Sequence, residues 1–206
     1  TYRQALSMTD GLSWREENAK SIISNDAAIM LYGKGKGNTV GYVTDKKLKH
    51  APGTYWNYST GASNLAAAGL SRKISKPTVN DPYGKAKYRT FIYNEFFHKI
   101  GMNDTAAEFD AAGNLQAGSF FYATARDYAK FALLFMRDGV WEGQRILPEG
   151  YVNMVRTPVN AENAANYGLQ WWLNGKQRHQ FLPNSPEDTF MARGNEGQII
   201  AIVPSK

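Results

Sequence analysis

The stretch Ala51-Pro52-Gly53-Thr54-Tyr55-Trp56-Asn57-Tyr58-Ser59-Thr60-Gly61-Ala62-Ser63-Asn64-Leu65-Ala66-Ala67-Ala68-Gly69-Leu70 changes character near its middle. Pro52-Gly53 punctuates a turn, and aromatic residues follow it. The alanine-rich second half, with Leu65 and Leu70, predicts a helix from about Ala62 to Lys73. Tyr58 thus stands just before a helix start, where the aligned peptide dipoles favour negative charge. A phenol ionises near pH ~10 and is a poor base at neutral pH unless its anion is stabilised. On these residues alone, Tyr58 reads first as a core tyrosine at the start of a helix.

Working outward, Thr124-Ala125-Arg126-Asp127 resembles a capping box. Tyr128, Phe131, Ala132 and Phe135 then recur at helical spacing up to a stop at Gly139. Phe91, Ile92, Phe96 and Ile100 form another stripe closed by Gly101, and Pro148 suits the first turn of a short further helix. Strands come late. Tyr167, Leu169, Trp171 and Leu173 alternate with Gly168, Gln170, Trp172 and Asn174, which predicts a half-buried strand. Phe190–Arg193 and Gln198–Val203 flank Gly194-Asn195-Glu196-Gly197 as strand, turn, strand. Ile199 to Val203 is continuously apolar, as a strand covered on both faces would be. Gly33–Lys49, Ser75–Lys87 and Gln177–Asp188 read as loops. Helices first and sheet last make the fold class α+β.

Composition narrows the function. With 206 residues, 43% of them hydrophobic, the chain can build one ordinary core. The absence of cysteine excludes disulfides, thiolate metal sites and a cysteine nucleophile. The net charge of +6 comes from scattered lysines with no nucleic-acid-binding motif, so a solvated basic surface is expected and no nucleic-acid partner. No apolar run approaches the ~20 residues of a membrane span. Gly33-Lys34-Gly35-Lys36-Gly37 lacks the order of a phosphate loop. His50, His98 and His179 lack metal-ligand spacing, so neither metal nor cofactor is expected. Glu16-Glu17 are adjacent and would point different ways on a regular element, and there is no Gly-x-Ser-x-Gly elbow.

Several segments in fixed order together resemble one family. Ala5-Leu6-Ser7-Met8-Thr9-Asp10-Gly11-Leu12 is similar to the segment that follows the nucleophile helix in class C β-lactamase-like, penicillin-recognising serine hydrolases. The Ala51–Leu70 stretch is similar to that family's turn into a helix. Phe96 to Pro158 and the closing Phe190–Pro204 continue the likeness. The resemblance implies a partial β-lactamase/penicillin-binding-protein-like fold, a helical region with part of an antiparallel sheet. It also implies acyl transfer, in which a serine of Ser-x-x-Lys attacks a carbonyl and Tyr and Lys move protons, while backbone N–H groups hold the oxyanion.

Carried across, the middle motif Tyr-x-Asn falls on Tyr58-Ser59-Thr60 and makes Tyr58 the proton carrier, with Thr60 in place of asparagine. The last motif falls on Ala192-Arg193-Gly194, where Gly194 lets backbone approach the substrate and the Asn195 N–H becomes the oxyanion donor. A plain hairpin turn would use the same residues. Arg193 could favour a Tyr58 phenolate or clamp an anionic substrate, and alternation could equally turn it to solvent. The family's lysine is absent at Ala192, which points away from β-lactams and toward an ester or amide substrate. A non-catalytic binder of acyl or peptidoglycan-like ligands is the rival reading. By resemblance, a periplasmic or secreted bacterial protein is suspected.

No Ser-x-x-Lys occurs in the chain. Residues 1–206 are therefore expected to be a fragment of one serine-hydrolase domain, whose natural partner is the remainder of that domain. The parent gene is expected to encode Ser-x-x-Lys a few dozen residues before Thr1 and a further strand after Lys206. A start codon just upstream of Thr1 with no such motif would refute this.

Overall fold

The computed structural model describes residues 1–17, 19–76, 79, 85–176 and 180–206. Its elements follow the order α1 (Tyr2–Leu6), α2 (Asp26–Tyr32), α3 (Thr39–Thr44), α4 (Thr60–Ile74), α5 (Lys85–Ile92), β1 (Ala106–Ala107), β2 (Phe121–Tyr122), α6 (Ala125–Met136), β3 (Val140–Trp141), β4 (Gln144–Arg145), α7 (Tyr151–Arg156), β5 (Trp172–Leu173), β6 (Phe190–Arg193) and β7 (Ile199–Ile202). Helices and small antiparallel sheets make the fold α+β. No helix among the described residues is long and apolar enough to cross a membrane.

Local chemistry accounts for most boundaries. The Ser59 hydroxyl accepts the Ala62 N–H at 3.0 Å and starts α4, two residues before the expected Ala62. The Thr124 hydroxyl accepts the Asp127 N–H at 3.1 Å and starts α6. Gly101, at φ +70, ends the helical run that follows α5. In that run Tyr93–Phe97 is a π turn and His98–Ile100 a 3₁₀ turn. Ile92, Phe97 and Ile100 are consequently the buried residues, and Phe96 of the expected stripe only packs against them.

Three expectations need correction. Gly33–Lys49 is not all loop: Asn38 caps α3, its side chain accepting the Gly41 N–H at 2.9 Å. Pro148 lies outside α7, whose N-cap is Gly150 at φ +75. The segment from Tyr167 to Asn174 is a tight hairpin rather than one half-buried strand. Gln170 sits at φ +66, the Gly168 N–H donates to the Trp171 carbonyl at 2.8 Å, and only Trp172 and Leu173 form the strand. Both alternating sets are largely buried, down to Asn174 at 0% exposure, whose side chain ties down the segment around Leu182. Parts of the expected Ser75–Lys87 and Gln177–Asp188 loops lie outside the described residues; α5 begins inside the first.

The main sheet has the order β5-β6-β7, all antiparallel, with Trp172 opposite Met191 and Leu173 opposite Phe190. Its two faces meet different cores. Leu173 and Phe190 pack with Phe135 of α6 and Val152 and Val155 of α7. Trp172 and Met191 pack with Met8, Trp56 and Tyr167. The cover on both faces expected of Ile199–Val203 is not found at β7, where Ile202 is buried but Ala201 is exposed and Ile199 is 50% exposed. The outer edge of β7 pairs with no strand among the described residues.

Gly168 is where backbone packs hardest: a Cβ there would stand 1.9 Å from the Val155 carbonyl oxygen, whereas one on Gly175 would meet nothing within 4 Å. Gly168→Ala is expected to lower stability by at least ~1–3 kcal/mol, and Gly175→Ala by no more than ~0.5 kcal/mol. Chemical denaturation of the two variants checks the contrast, and equal midpoints would contradict this packing.

Candidate active site

Tyr58 is held by chain segments on both sides of it. The Trp56 N–H donates to the Glu162 carbonyl at 2.9 Å and the Asn57 N–H to the Met8 carbonyl at 2.9 Å. The Asn57 side-chain amide donates to the Trp14 carbonyl at 2.9 Å. Just beyond Tyr58 the backbone enters α4, where Gly61 is needed because a Cβ would stand 2.8 Å from Val43 and 2.9 Å from the Trp14 indole. The half-buried Tyr58 ring lies among Trp172, Tyr167 and Trp56, with centroids at 5.4, 6.2 and 6.4 Å.

Strand alternation decides where Arg193 points. Met191 faces the Trp56–Trp172 cluster and Ala192 the opposite core, so Arg193 returns to the side of Tyr58. Its guanidinium lies 4.2 Å from the centroid of Phe181 and 5.5 Å from that of Trp172. Trp172 therefore touches both Tyr58 and Arg193. The strand then turns. Gly194 is extended at φ −111, and the Gly194 N–H donates to the Gln198 carbonyl at 2.8 Å. Among the described residues no partner takes the N–H of the exposed Asn195.

The charges around Tyr58 differ from what its place before a helix suggests. The positive end of α4 is already occupied: Glu16 accepts the Thr60 N–H at 2.8 Å and the Thr60 hydroxyl at 2.6 Å. Burial pushes the Tyr58 phenol up to about 12, the carboxylates of Glu16 and Glu17 add to the rise, and Arg193 opposes it. Tyr58 is a neutral phenol at pH 7, and the helix start does not supply a phenolate. Thr60 is buried, with its hydroxyl donated to Glu16.

The structure thus brings Tyr58 and Arg193 onto Trp172, with Gly194 and Asn195 continuing from Arg193, and ties Thr60 to Glu16. It adds Glu16, which sequence reasoning passed over. The partners Glu16 and Thr60 lie 44 positions apart, so no local pattern carries the contact. Two surface cavities lie elsewhere, one of about 380 Å³ beside Tyr42 and Lys46 and one of about 430 Å³ beside Asp10 and Leu65. Among the described residues no three His, Asp or Glu side chains converge as a metal site. His50 stacks on Tyr55 at 4.0 Å.

A helical region followed by an antiparallel sheet, with a tyrosine before a helix facing the end of a strand, defines a class, and comparison with known proteins names it. The β-lactamase family matches over residues 1–206, and the chain belongs to that family. Among solved structures it resembles a Bacillus anthracis protein named as a candidate 6-aminohexanoate-dimer hydrolase (TM-score 0.73, 19% identity, 98% of this chain and 52% of that one). It also resembles a penicillin-binding protein from Bacillus halodurans (TM-score 0.62, 16% identity, 98% and 65%). A class C β-lactamase is similar too (TM-score 0.62, 13% identity, 100% and 61%). At such identities the likeness is one of fold. The chain spans 52% to 65% of the length of these three structures. No curated protein matches it.

The raised Tyr58 value has a consequence for stability. The folded phenol near 12 against an ordinary 10.0 contributes stability that is complete below pH 10 and is lost as pH rises toward 12. Two units correspond to roughly 3 kcal/mol. Alkaline denaturation of wild type and Tyr58→Phe should show the variant losing less stability across that window; parallel curves would mean that Tyr58 titrates as an exposed phenol.

Proposed function

We propose that this chain is part of a serine-hydrolase domain that cleaves a small ester or amide through an acyl-enzyme. Residues outside 1–206 would supply the Ser-x-x-Lys serine and lysine and a further sheet strand. The observation that carries this reading is the convergence on Trp172 of Tyr58, which precedes α4, and Arg193, which ends β6. In this assignment Tyr58 exchanges a proton with the nucleophile or the leaving group, and the Asn195 N–H holds the oxyanion. Gly194 lets the substrate approach the strand, Thr60 supports the site through Glu16, and Arg193 faces the substrate. A neutral Tyr58 is suited to donating a proton to the leaving group. For it to act as a base, the family's lysine would have to offset Glu16 and Glu17.

Ala192 in place of lysine and the phenol at about 12 favour a second reading, a non-catalytic domain that binds acyl or peptidoglycan-like ligands. A fluorophosphonate probe applied to the complete polypeptide separates the two: covalent labelling supports the hydrolase, and no labelling supports the binder. In a labelled protein, Tyr58→Phe should lower turnover ~10²–10⁴-fold while leaving the fold intact. Retention of more than about a tenth of turnover would remove Tyr58 from the proton path.

Arg193→Ala tests substrate charge. Loss of a charge-assisted hydrogen bond from the transition state lowers kcat/KM by roughly 10–150-fold. A carboxylate-bearing ester should suffer this loss and a neutral ester of equal size should not, if the guanidinium clamps an anion. Equal losses on both esters would assign Arg193 to Tyr58 instead.

A further inference from the structure

Resting on the hydrolase reading above, we propose that Glu16 is a positioning residue for Tyr58, acting through a closed ring of hydrogen bonds that brackets the tyrosine on both sides. The ring starts at Trp14, whose carbonyl accepts the Asn57 amide at 2.9 Å and whose indole N–H donates to Glu16 at 2.7 Å. Glu16 in turn accepts the Thr60 N–H at 2.8 Å and the Thr60 hydroxyl at 2.6 Å. The backbone from Asn57 to Thr60 closes the ring, and Tyr58 lies within that span.

The backbone that carries Glu16 is itself anchored. The Asn25 amide donates to the Glu16 carbonyl at 3.1 Å, and the Arg15 N–H donates to the buried Asp26 carboxylate at 2.8 Å. Glu16 also satisfies an N–H in the first turn of α4, which no backbone carbonyl of the helix can reach, while Ser59 takes that of Ala62. The hydroxyl at Thr60 is thus committed to the protein and not to the substrate. Charge acts alongside this geometry: after burial, the Glu16 and Glu17 carboxylates of this loop raise the Tyr58 phenol and Arg193 of β6 lowers it, while the Tyr167 ring of the hairpin before β5 lies 6.2 Å away.

The test uses the complete polypeptide with carbon-labelled tyrosine Cζ, Tyr58 being assigned by Tyr58→Phe. Glu16→Gln keeps the shape and one acceptor oxygen but removes the charge, Glu16→Ala breaks the ring, and Thr60→Val removes one bond from it. Glu16→Gln should move the Tyr58 ionisation downward. Glu16→Ala should lower kcat on the order of 10–100-fold with a smaller change in KM. Glu16→Gln should recover part of that kcat, and Thr60→Val should lie between Ala and wild type.

If Glu16→Ala does not fold, the Glu16→Gln titration and the Thr60→Val kinetics decide. An unmoved Tyr58 ionisation in Glu16→Gln, together with wild-type kcat in Glu16→Ala or Thr60→Val, overturns the proposal. The titration needs no turnover. A wild-type polypeptide that resists the fluorophosphonate would therefore remove the hydrolase reading while leaving the link between Glu16 and Tyr58 separately measured.

Discussion

The pairing of Trp172 with Met191 across β5 and β6 is the constraint on which the site depends. Side chains alternate along a strand, so this one register assigns every residue of β6 to a face. Phe190 goes to the core under α6 and α7, and Met191 and Arg193 go to the aromatic cluster around Trp56. A slip of one residue would send Arg193 to the helical side and bring Phe190 against Tyr58. The register is defended by burial: Trp172, Met191 and Phe190 are each at least nine-tenths buried, and a slip would pull all three out of the cores they fill.

Around that sheet the family's frame is assembled from parts that are individually weak. Strands of two to four residues and helices of five to seven hold little structure alone. Their stability comes from side chains that cross between them. Asp26 accepts hydrogen bonds from Lys46 at 2.5 Å and Tyr42 at 2.6 Å, tying α2 to the end of α3. Asn64 of α4 donates to Gln116 at 3.1 Å and accepts the Gly118 N–H at 3.2 Å. Ser63 and Gln170 join α4 to the hairpin before β5 at 2.7 Å. The polar face of α4 works as a hub, which explains why a helix rich in alanine buries Ser63 and Asn64.

What could be read in the sequence and what could not divide along the range of the forces. Thr124 caps within three residues, so the start of α6 was legible, whereas α4 was legible from its alanines and its start at the Ser59 cap was placed two residues late. The strand Phe190–Arg193 was legible from the Gly194-Asn195-Glu196-Gly197 turn that it precedes. The hairpin at Gly168–Gln170 was not, because a left-handed Gln170 breaks an alternation that the letters still display. Helix α3 hid among lysines and glycines, although Asn38-Thr39 was a usable start signal. At the site, Tyr58 and Arg193 could be named from the family's phrasing, but their charges could not. Burial raises the Tyr58 phenol first, and Glu16 and Glu17 add to the rise from a loop whose contact with α4, Glu16 to Thr60, spans 44 positions.

The π turn at Tyr93–Phe97 has a bearing on how this chain should be lined up with others. It places Ile92 and Phe97, five positions apart, in the same core, and it lets the Tyr93 hydroxyl accept the Ala107 N–H at 3.0 Å at the start of β1–β2. A regular α-helix would achieve the first contact with four positions. The turn therefore amounts to one inserted residue absorbed without breaking the helix. A relative with an unbroken helix here should need a single-residue gap inside the helix and not in the loops at its ends, with Phe96 and Phe97 competing for the same column.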